Sequence, residues 1–323
     1  MILELFYISK YRTEIMGYAI LGVMLAHIKG ICGFPDTIIN KLLGVFCFSV
    51  FTGGFVFLTG VGLCFSLHKD GNLKRFYMKR IKRLLISYWI ISTPYFLYTD
   101  LYLNSDVVAF IEHVITISFW LQGNYSGMWY IAMTVVIYLI YPFMHKFMYG
   151  GKMQTIYAVV ILLGSYMIVN KALLTYAPIF YHNTEIAITK FPFLILGSLT
   201  MNYATEWCKI LNIRWISWLS VGCIILLVEP INTIWLTFNA ISIIVLGYLY
   251  EVCNRSGYIS WINGLFRWLG KYTLELYILH LLVYYLLNLI IVSPDEGLNI
   301  IMGVMIALIF CKPMHLVTEK ITR

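Results

Sequence analysis

Long apolar segments alternate with short polar ones along the whole chain. Each apolar segment is close to the roughly 20 residues that a helix needs to cross the ~30 Å hydrocarbon core of a bilayer. The pattern therefore predicts an all-α fold: a polytopic bundle of about ten transmembrane helices, forming one integral-membrane domain over residues 1–323. The predicted spans are Thr13–Ile31, Leu42–Leu67, Leu84–Leu103, Met128–Met148, Ile156–Leu174, Ala187–Ala204, Trp215–Val228, Ile231–Glu251, Tyr272–Val292 and Leu298–Met314.

One further apolar segment, Val107–Leu121, is shorter and amphipathic, since it contains Glu112 and His113. We interpret it as a re-entrant or interfacial segment. If it were a span, the orientation of every later helix would be reversed.

The basic residues are distributed unevenly between the two sides of this predicted bundle. With the N-terminus inside, 19 of the 23 Lys and Arg residues fall in segments on the inner side. The positive-inside rule then predicts that both termini are cytoplasmic and that the protein is a multi-pass protein of the cytoplasmic (inner) membrane. Topology also accounts for the net charge of +8, so the lipid bilayer, and no nucleic acid, is the expected partner.

Composition limits where any chemistry can lie. Hydrophobic residues make up 61% of the chain and charged residues 12%, against about 45–50% and ~25% in soluble domains. Ten spans leave only short loops, which excludes a separate soluble catalytic domain. The seven cysteines include no Cys-x-x-Cys pair, so we interpret them as small buried hydrophobic residues and predict no disulfide frame and no metal site.

His27 is the first candidate for chemistry. It lies about 14 residues into the first span, or roughly 21 Å along a helix, which is past the bilayer midplane. An ionisable residue at that depth is a functional candidate by default, although a hydrogen-bonded packing histidine is the alternative. Helical phase turns Glu14 to the other face of this helix, and it leaves Arg12 at the cytoplasmic end of nearly the same face.

Two later segments contain further candidates. Arg80 and Arg83 are spaced i, i+3, so on a helix they share a face that could bind phosphates; a topology signal alone would also explain them. Tyr277 and His280 have the same spacing, and a Tyr–His pair inside a bundle is either structural or functional. The glycines between Thr52 and Gly62 permit close helix approach or a ligand against the backbone.

Six segments carry a resemblance to a known family. They are Gly17–His27, Phe57–Gly60, Lys79–Arg83, Met128–Tyr130 with the following Tyr141-Pro142, Lys190–Gly197 and Gly270–His280. In order and spacing they resemble the signatures of the integral-membrane acyltransferase family 3, over nearly the whole chain. Three departures are visible. Thr59 replaces the usual serine, and Ser87 occupies the place of a proline that often follows the basic loop. Met16 stands where many members have a basic residue, a role for which Arg12 could substitute.

The resemblance implies an activity and a set of roles. Members move acyl groups, commonly acetyl, from cytoplasmic acyl-CoA to hydroxyl groups, usually of envelope glycans. It implies an O-acyltransferase in which His27 is catalytic, Arg80, Arg83 and Arg12 bind the acyl-CoA donor, and no metal takes part. The expected partners are acyl-CoA and a glycan or other hydroxyl acceptor, with a homo-oligomer as a further hypothesis. Other candidate site residues are Thr59, Tyr277 and His280.

Several alternatives stay open at this point. His27 could act as a general base or form a covalent acyl-histidine, and Thr59 or backbone N–H groups could stabilise the oxyanion. A transporter or flippase of a lipid-linked sugar or small acid would also contain intramembrane histidines. A membrane subunit that anchors a partner is a third hypothesis, and it predicts no release of coenzyme A.

Overall fold

The computed structural model describes residues 6–123, 127–150, 152–204, 230–257, 260–291 and 295–322. Within these ranges the chain is helical throughout and contains no β-strand. A short π-helix, Leu97–Leu103, continues α4. The α-helices are α1 (Phe6–Lys10), α2 (Arg12–Cys32), α3 (Ile38–Lys69), α4 (Leu73–Phe96), α5 (Val107–Val114), α6 (Ser118–Gln122), α7 (Trp129–Met148), α8 (Lys152–Tyr176), α9 (Pro178–Ile188), α10 (Phe191–Ala204), α11 (Pro230–Ser256), α12 (Ser260–Lys271), α13 (Thr273–Ile290) and α14 (Glu296–Thr322).

Six of these helices, α2, α3, α7, α8, α13 and α14, are long and apolar enough to cross a membrane. The all-α, multi-pass membrane character predicted from the sequence is therefore confirmed. The predicted spans Leu84–Leu103 and Ile231–Glu251 are helical but are not among the six. The predicted span Trp215–Val228 lies outside the described residues. The count of ten spans and the cytoplasmic location of both termini stay predictions.

The predicted span Ala187–Ala204 is divided into two helices. The α9 helix ends at Ile188, and α10 begins at Phe191 and has 14 residues. At 1.5 Å per residue α10 is about 21 Å long, which is shorter than the hydrocarbon core. A turn in the chain at Thr189 and Lys190 therefore interrupts what the hydropathy pattern presents as one segment.

The segment Val107–Leu121 forms two short helices, as its amphipathic pattern indicates. The α5 helix has 8 residues and α6 has 5, so α5 is only about 12 Å long. The Asp106 side chain caps α5 by accepting a hydrogen bond from the Ala109 backbone N–H at 2.9 Å. Neither helix can cross a bilayer, and the interpretation of this segment as something other than a span is confirmed.

The α3 helix packs closely against its neighbours through glycines. A Cβ atom on Gly60 would meet the Leu194 carbonyl of α10, and a Cβ on Gly197 of α10 would meet the Phe57 backbone in return. At another interface, a Cβ on Gly17 of α2 would meet the Phe266 carbonyl of α12. These contacts are the small-residue packing that membrane helices use for close approach.

A kink divides α3 at Phe51, where the backbone departs from helical geometry. A break in a helix leaves carbonyl groups without their usual partners, and an unpaired carbonyl is costly inside a membrane. The Asn239 amide of α11 donates to the carbonyls of two residues before the kink, to Phe48 at 2.9 Å and to Ser49 at 3.0 Å. The kink, with the Asn239 hydrogen bonds beside it, changes the direction of α3 directly before Thr52, which lines the cavity described below.

Two buried carboxylates tie helices together within the bundle. Glu14 of α2 accepts two hydrogen bonds from Arg267 of α12, at 2.7 and 2.9 Å. Glu275 of α13 contacts His315 of α14 at 2.9 Å. Glu14 therefore has Arg267 as its partner and does not orient His27, in agreement with the helical phase.

Candidate active site

A cavity of about 930 Å³ lies between α2, α3, α4, α7 and α12–α14. Its inner end is lined by Val23, Thr52, Phe55 and Tyr277, and its middle by Thr59, Tyr130 and Tyr138. The other end, which the positive-inside rule predicts to be cytoplasmic, is strongly basic. The basic residues of this cavity mouth are Arg12, Lys79, Arg80, Lys82, Arg83, Arg267 and Lys271.

Arg12, Arg80 and Arg83 come together at this mouth, as the sequence analysis expected. Arg12 Nε donates to the Leu58 carbonyl at 3.0 Å, and its guanidinium lies against Gly62, where a Cβ would come within 2.6 Å of it. Arg80 Nη2 lies 3.5 Å from the Gly62 carbonyl oxygen. The glycine on α3 thus leaves room for a guanidinium directly against the helix backbone.

These three arginines have no carboxylate partner among the residues that the structure describes. Arg80 Nε is buried and has no hydrogen-bond partner in that part of the chain. The like charges of Arg80 and Arg83 also act on the Arg12 guanidinium. Such an arrangement is suited to an anion with several charges, because each guanidinium can donate to phosphate oxygens.

His27 and His280 form a hydrogen-bonded pair between α2 and α13. His27 Nδ1 lies 2.9 Å from His280 Nε2, although the two residues are 253 positions apart. The two rings are nearly coplanar, with an angle of 18° between their planes and centroids 5.2 Å apart, so the two nitrogens point at each other. His280 is fully buried, whereas His27 is only partly buried. The pair therefore has one interior member and one accessible member.

The hydrogen bonds of His280 determine which ring nitrogens carry protons. His280 Nδ1 lies 2.8 Å from the Leu276 carbonyl oxygen. Because a carbonyl can only accept, Nδ1 carries the proton, and Nε2 of neutral His280 is an acceptor. His27 must then donate from Nδ1, which leaves the lone pair of His27 on Nε2. This is the form of imidazole that a general base requires.

The histidine pair lies one helical turn beyond the inner end of the cavity. Val23, which lines that end, precedes His27 by four residues on α2, and Tyr277 precedes His280 by three residues on α13. Residues three or four apart lie on the same face of a helix. The cavity, which begins at the basic mouth, therefore points along the two helices towards the pair.

Thr59 lines the cavity, but its hydroxyl proton is already used. Thr59 Oγ1 donates to the Phe55 carbonyl of its own helix at 2.8 Å. It lies 3.3 Å from the Tyr130 hydroxyl, and towards Tyr130 it can only accept. The Tyr130 hydroxyl is therefore the donor in this contact, and 3.3 Å is long for an O–H···O hydrogen bond.

Tyr277 lies beside His280 without a hydrogen bond between their side chains. The two rings are 6.2 Å apart and meet edge to face. The Tyr277 hydroxyl donates to the Gly127 carbonyl at 2.7 Å and approaches the Tyr130 backbone N–H at 3.4 Å. Tyr277 thus secures the chain at the start of α7, next to Tyr130.

Two features of the site could not be assigned from the sequence. The His27–His280 pair depends on the packing of α2 against α13, and Tyr130 is visible in the sequence only as part of a motif, without a role of its own.

Two further polar side chains, those of Glu275 and His315, also line the cavity mouth. Glu275 Oε2 is buried without a partner among the described residues.

Fold and site together define a helical membrane protein with a basic-mouthed cavity that points towards a hydrogen-bonded histidine pair, of which His280 is buried and His27 is accessible. The model of the acyltransferase domain family matches residues 17–313 of the chain. The chain therefore belongs to the integral-membrane acyltransferase family 3, and the protein is an acyltransferase. No curated protein and no solved structure matches it. The transporter and partner-anchoring hypotheses receive no support from the family match.

Proposed function

We propose that the protein is a membrane O-acyltransferase that moves an acyl group, most simply acetyl, from acyl-CoA to a hydroxyl of an envelope glycan or other acceptor. The observation that supports this best is the layout of the cavity: guanidiniums without a carboxylate partner among the described residues lie at its mouth, and a histidine whose Nε2 carries a lone pair lies beyond its inner end. The groups of an acyl-CoA follow the same order, with phosphates at one end and the thioester at the other.

The donor would enter with its phosphates at Arg80 and Arg83, and Arg12 would extend the basic surface inward. Charge-assisted hydrogen bonds to phosphate are about twice as strong as neutral ones. The volume of about 930 Å³ is within the roughly 300–1,000 Å³ range of small-molecule sites. The pantetheine arm would run past Thr59 and Tyr138 towards Val23, and the thioester would approach His27.

His27 Nε2 would take the proton of the acceptor hydroxyl as its oxygen attacks the thioester carbon. A C–O bond forms to the acyl carbon, and the C–S bond breaks when the tetrahedral intermediate collapses. The proton held on His27 then passes to the departing sulfur, so coenzyme A leaves as a thiol and the histidine returns to its starting form. Attack by the same Nε2 on the thioester, to give an acyl-histidine, is the covalent alternative.

His280 is a positioning residue in this proposal. It keeps the proton of neutral His27 on Nδ1, and it accepts the Nδ1–H bond when His27 becomes an imidazolium. A carboxylate performs this task in the Ser-His-Asp arrangement. A neutral imidazole does it here without placing a negative charge inside the membrane, where an unpaired charge is expensive.

Tyr130 is the better candidate for stabilising the oxyanion than Thr59. The Thr59 proton is committed to its own helix backbone at 2.8 Å, whereas the Tyr130 proton is held only by the long 3.3 Å contact to Thr59 Oγ1, and a substrate oxygen bound nearby would replace that contact. A hydroxyl donor directed at developing negative charge is a common source of transition-state stabilisation.

The proposal is tested by release of coenzyme A thiol from acetyl-CoA. The acceptor is supplied as an envelope fraction from cells in which this gene is deleted, because that fraction retains the unmodified acceptor. The purified protein should release thiol only when this fraction is present, and labelled acetyl should become attached to it. Release at the same rate without the envelope fraction, or no release at all, would contradict an acyltransferase that acts on an envelope acceptor.

A further inference from the structure

A second group of reactive side chains lies outside the cavity, where α3 meets α7. Cys64 and His68 are spaced i, i+4 near the end of α3, so they share a face of that helix. His145 lies in the last turn of α7, and Tyr149 directly follows the end of that helix. This end of the bundle is the one that the positive-inside rule predicts to be cytoplasmic.

The donor atoms of these side chains are close together. Cys64 Sγ lies 3.8 Å from His68 Nδ1, and one ligand atom each from Cys64, His68 and His145 can be chosen so that all lie within 4.8 Å of one another. A tetrahedral zinc ion with ordinary Zn–S and Zn–N bonds separates its ligand atoms by roughly 3.3–3.6 Å. A small rotation of the side chains would therefore bring the three atoms onto one ion.

The surroundings supply the outer contacts that a metal site needs. His68 Nε2 contacts the Tyr149 hydroxyl, so the ring nitrogen that faces away from the sulfur already has a partner. Metal-binding histidines almost always use their second nitrogen in this way. The Tyr149 ring also stacks on His145, with centroids 5.2 Å apart, and so holds the second imidazole in place.

One atom of the group is unexplained without a ligand. His145 Nε2 is buried and finds no hydrogen-bond partner among the described residues. A buried polar atom without a partner costs about 1–3 kcal/mol, and such groups are rare. The Cys64 sulfur also faces the Tyr141 hydroxyl, whose proton goes to Ser198 at 2.9 Å. A weak thiol contact remains there, but none of the described residues satisfies His145 Nε2.

We propose that Cys64, His68 and His145 bind a Zn²⁺ ion, with Tyr149 as the outer partner of His68. One thiolate and two neutral imidazoles are ligands that zinc prefers, and three protein ligands leave a fourth position for water. Binding releases the thiol proton of Cys64 to solvent. His68 is exposed, so the ion can enter from the aqueous side of the bundle.

The ion would act on the structure and would take no part in acyl transfer. None of its three ligands lines the cavity, yet α3 and α7 provide the cavity residues Thr59 and Tyr130. A metal that joins the ends of these two helices would hold that wall of the cavity in place. The proposal does not depend on the identity of the acyl donor or acceptor.

The test uses the full-length protein, purified in detergent with chelator-washed buffers. After addition of Zn²⁺ and removal of the excess, elemental analysis should find about one zinc ion per chain. Replacement by Co²⁺ should produce the thiolate-to-cobalt charge-transfer band in the near ultraviolet. A wild-type protein that retains no zinc and shows no such band would overturn the proposal without any variant. Retention of copper but not zinc would overturn the assignment of the metal.

Substitutions at the proposed ligands and at Tyr149 test where the ion binds. Cys64→Ala and His145→Ala should lose the zinc and the cobalt band, whereas Tyr149→Phe should lower the zinc affinity by about 10–100-fold. The matched controls are Cys47→Ala, another buried thiol on α3, and His182→Gln, an exposed histidine; both should behave as wild type. A folded Cys64→Ala variant with an unchanged cobalt band would place the metal elsewhere and would contradict the proposal.

Discussion

At the scale of single residues, the hydrogen bonds of His280 decide which nitrogen of His27 is free. The Leu276 carbonyl holds the proton on His280 Nδ1, and His280 Nε2 then holds the proton on His27 Nδ1. A histidine that lacked this partner could present either nitrogen to the substrate. The pair therefore gives His27 a defined chemical role as well as a defined position.

This relation predicts a graded response at His280. His280→Phe keeps the ring volume but removes the acceptor, so kcat should fall by at least about tenfold while KM for acetyl-CoA stays unchanged. The loss should stay below the ~10²–10⁴ expected for a missing general base. His280→Gln, whose amide oxygen can accept the His27 proton, should recover part of the rate. Equal kcat per folded molecule in His280→Phe and wild type would show that His280 is only a packing residue.

The hydroxyls of Thr59 and Tyr130 should respond differently to removal. Thr59→Val keeps the side-chain shape and removes a proton that is used within its own helix, so kcat should change by less than about tenfold. Tyr130→Phe removes a hydroxyl whose proton is held only by the long contact to Thr59, and loss of an oxyanion donor typically costs about 10²–10³ in kcat. Steady-state kinetics on the two purified variants compares them. A larger effect from Thr59→Val would reverse this assignment.

At the scale of helices, α4 contributes Arg80 and Arg83 to the cavity mouth, while α3 supplies the bare backbone at Gly62 that accommodates Arg12. A topology signal requires only that basic residues lie in this region. It does not require two of them to line a cavity, or Arg80 Nε to be buried without a partner among the described residues. The donor-binding hypothesis explains these additional features.

Arg80→Ala combined with Arg83→Ala should raise KM for acetyl-CoA and leave the protein inserted. Each lost contact between a guanidinium and phosphate should cost about 1.5–3 kcal/mol. The matched control is Arg75→Ala, because Arg75 lies on the same helix, pairs with Asp70 at 2.6 Å and does not line the cavity. If the double variant is inserted and its KM for acetyl-CoA is unchanged, the two arginines act only as a topology signal.

At the scale of the whole molecule, the predicted orientation can be measured directly. Single cysteines introduced near Lys74 and Arg255, in a background without native thiols, should react with membrane-impermeant reagents only from the cytoplasm. Cysteines near Asp106 and Asn183 should react only from outside, because the positive-inside rule assigns their segments to that side. Labelling of the Lys74 and Asn183 positions from the same side would contradict the predicted topology.

Features that depend on a single segment of the chain could be predicted from the sequence. The depth of His27 in an apolar run, the spacing of Arg80 and Arg83, and the short amphipathic pattern of Val107–Leu121 each lie within one segment. The division of Ala187–Ala204 could not be predicted, because hydropathy does not register a turn at Thr189 and Lys190 between two apolar stretches.

Features that depend on packing between helices were not accessible in this way. The His27–His280 pair joins residues 253 positions apart, and no periodicity within one helix indicates which helix packs against it. From the sequence alone, Cys64 is interpreted only as a buried hydrophobic residue. Its proximity to His68 and His145 depends on the contact of α3 with α7, and a Cys-x-x-x-His spacing alone does not predict a metal site.

The central claim is that His27 is the base in acyl transfer, and one comparison tests it most directly. Wild type and His27→Gln are reconstituted in vesicles and assayed for coenzyme A thiol release from acetyl-CoA, with the unmodified envelope fraction as acceptor. The variant should bind acetyl-CoA as wild type does but lose at least about 10²-fold in rate, the usual contribution of a general base. Near-normal turnover in a folded His27→Gln protein would contradict the account.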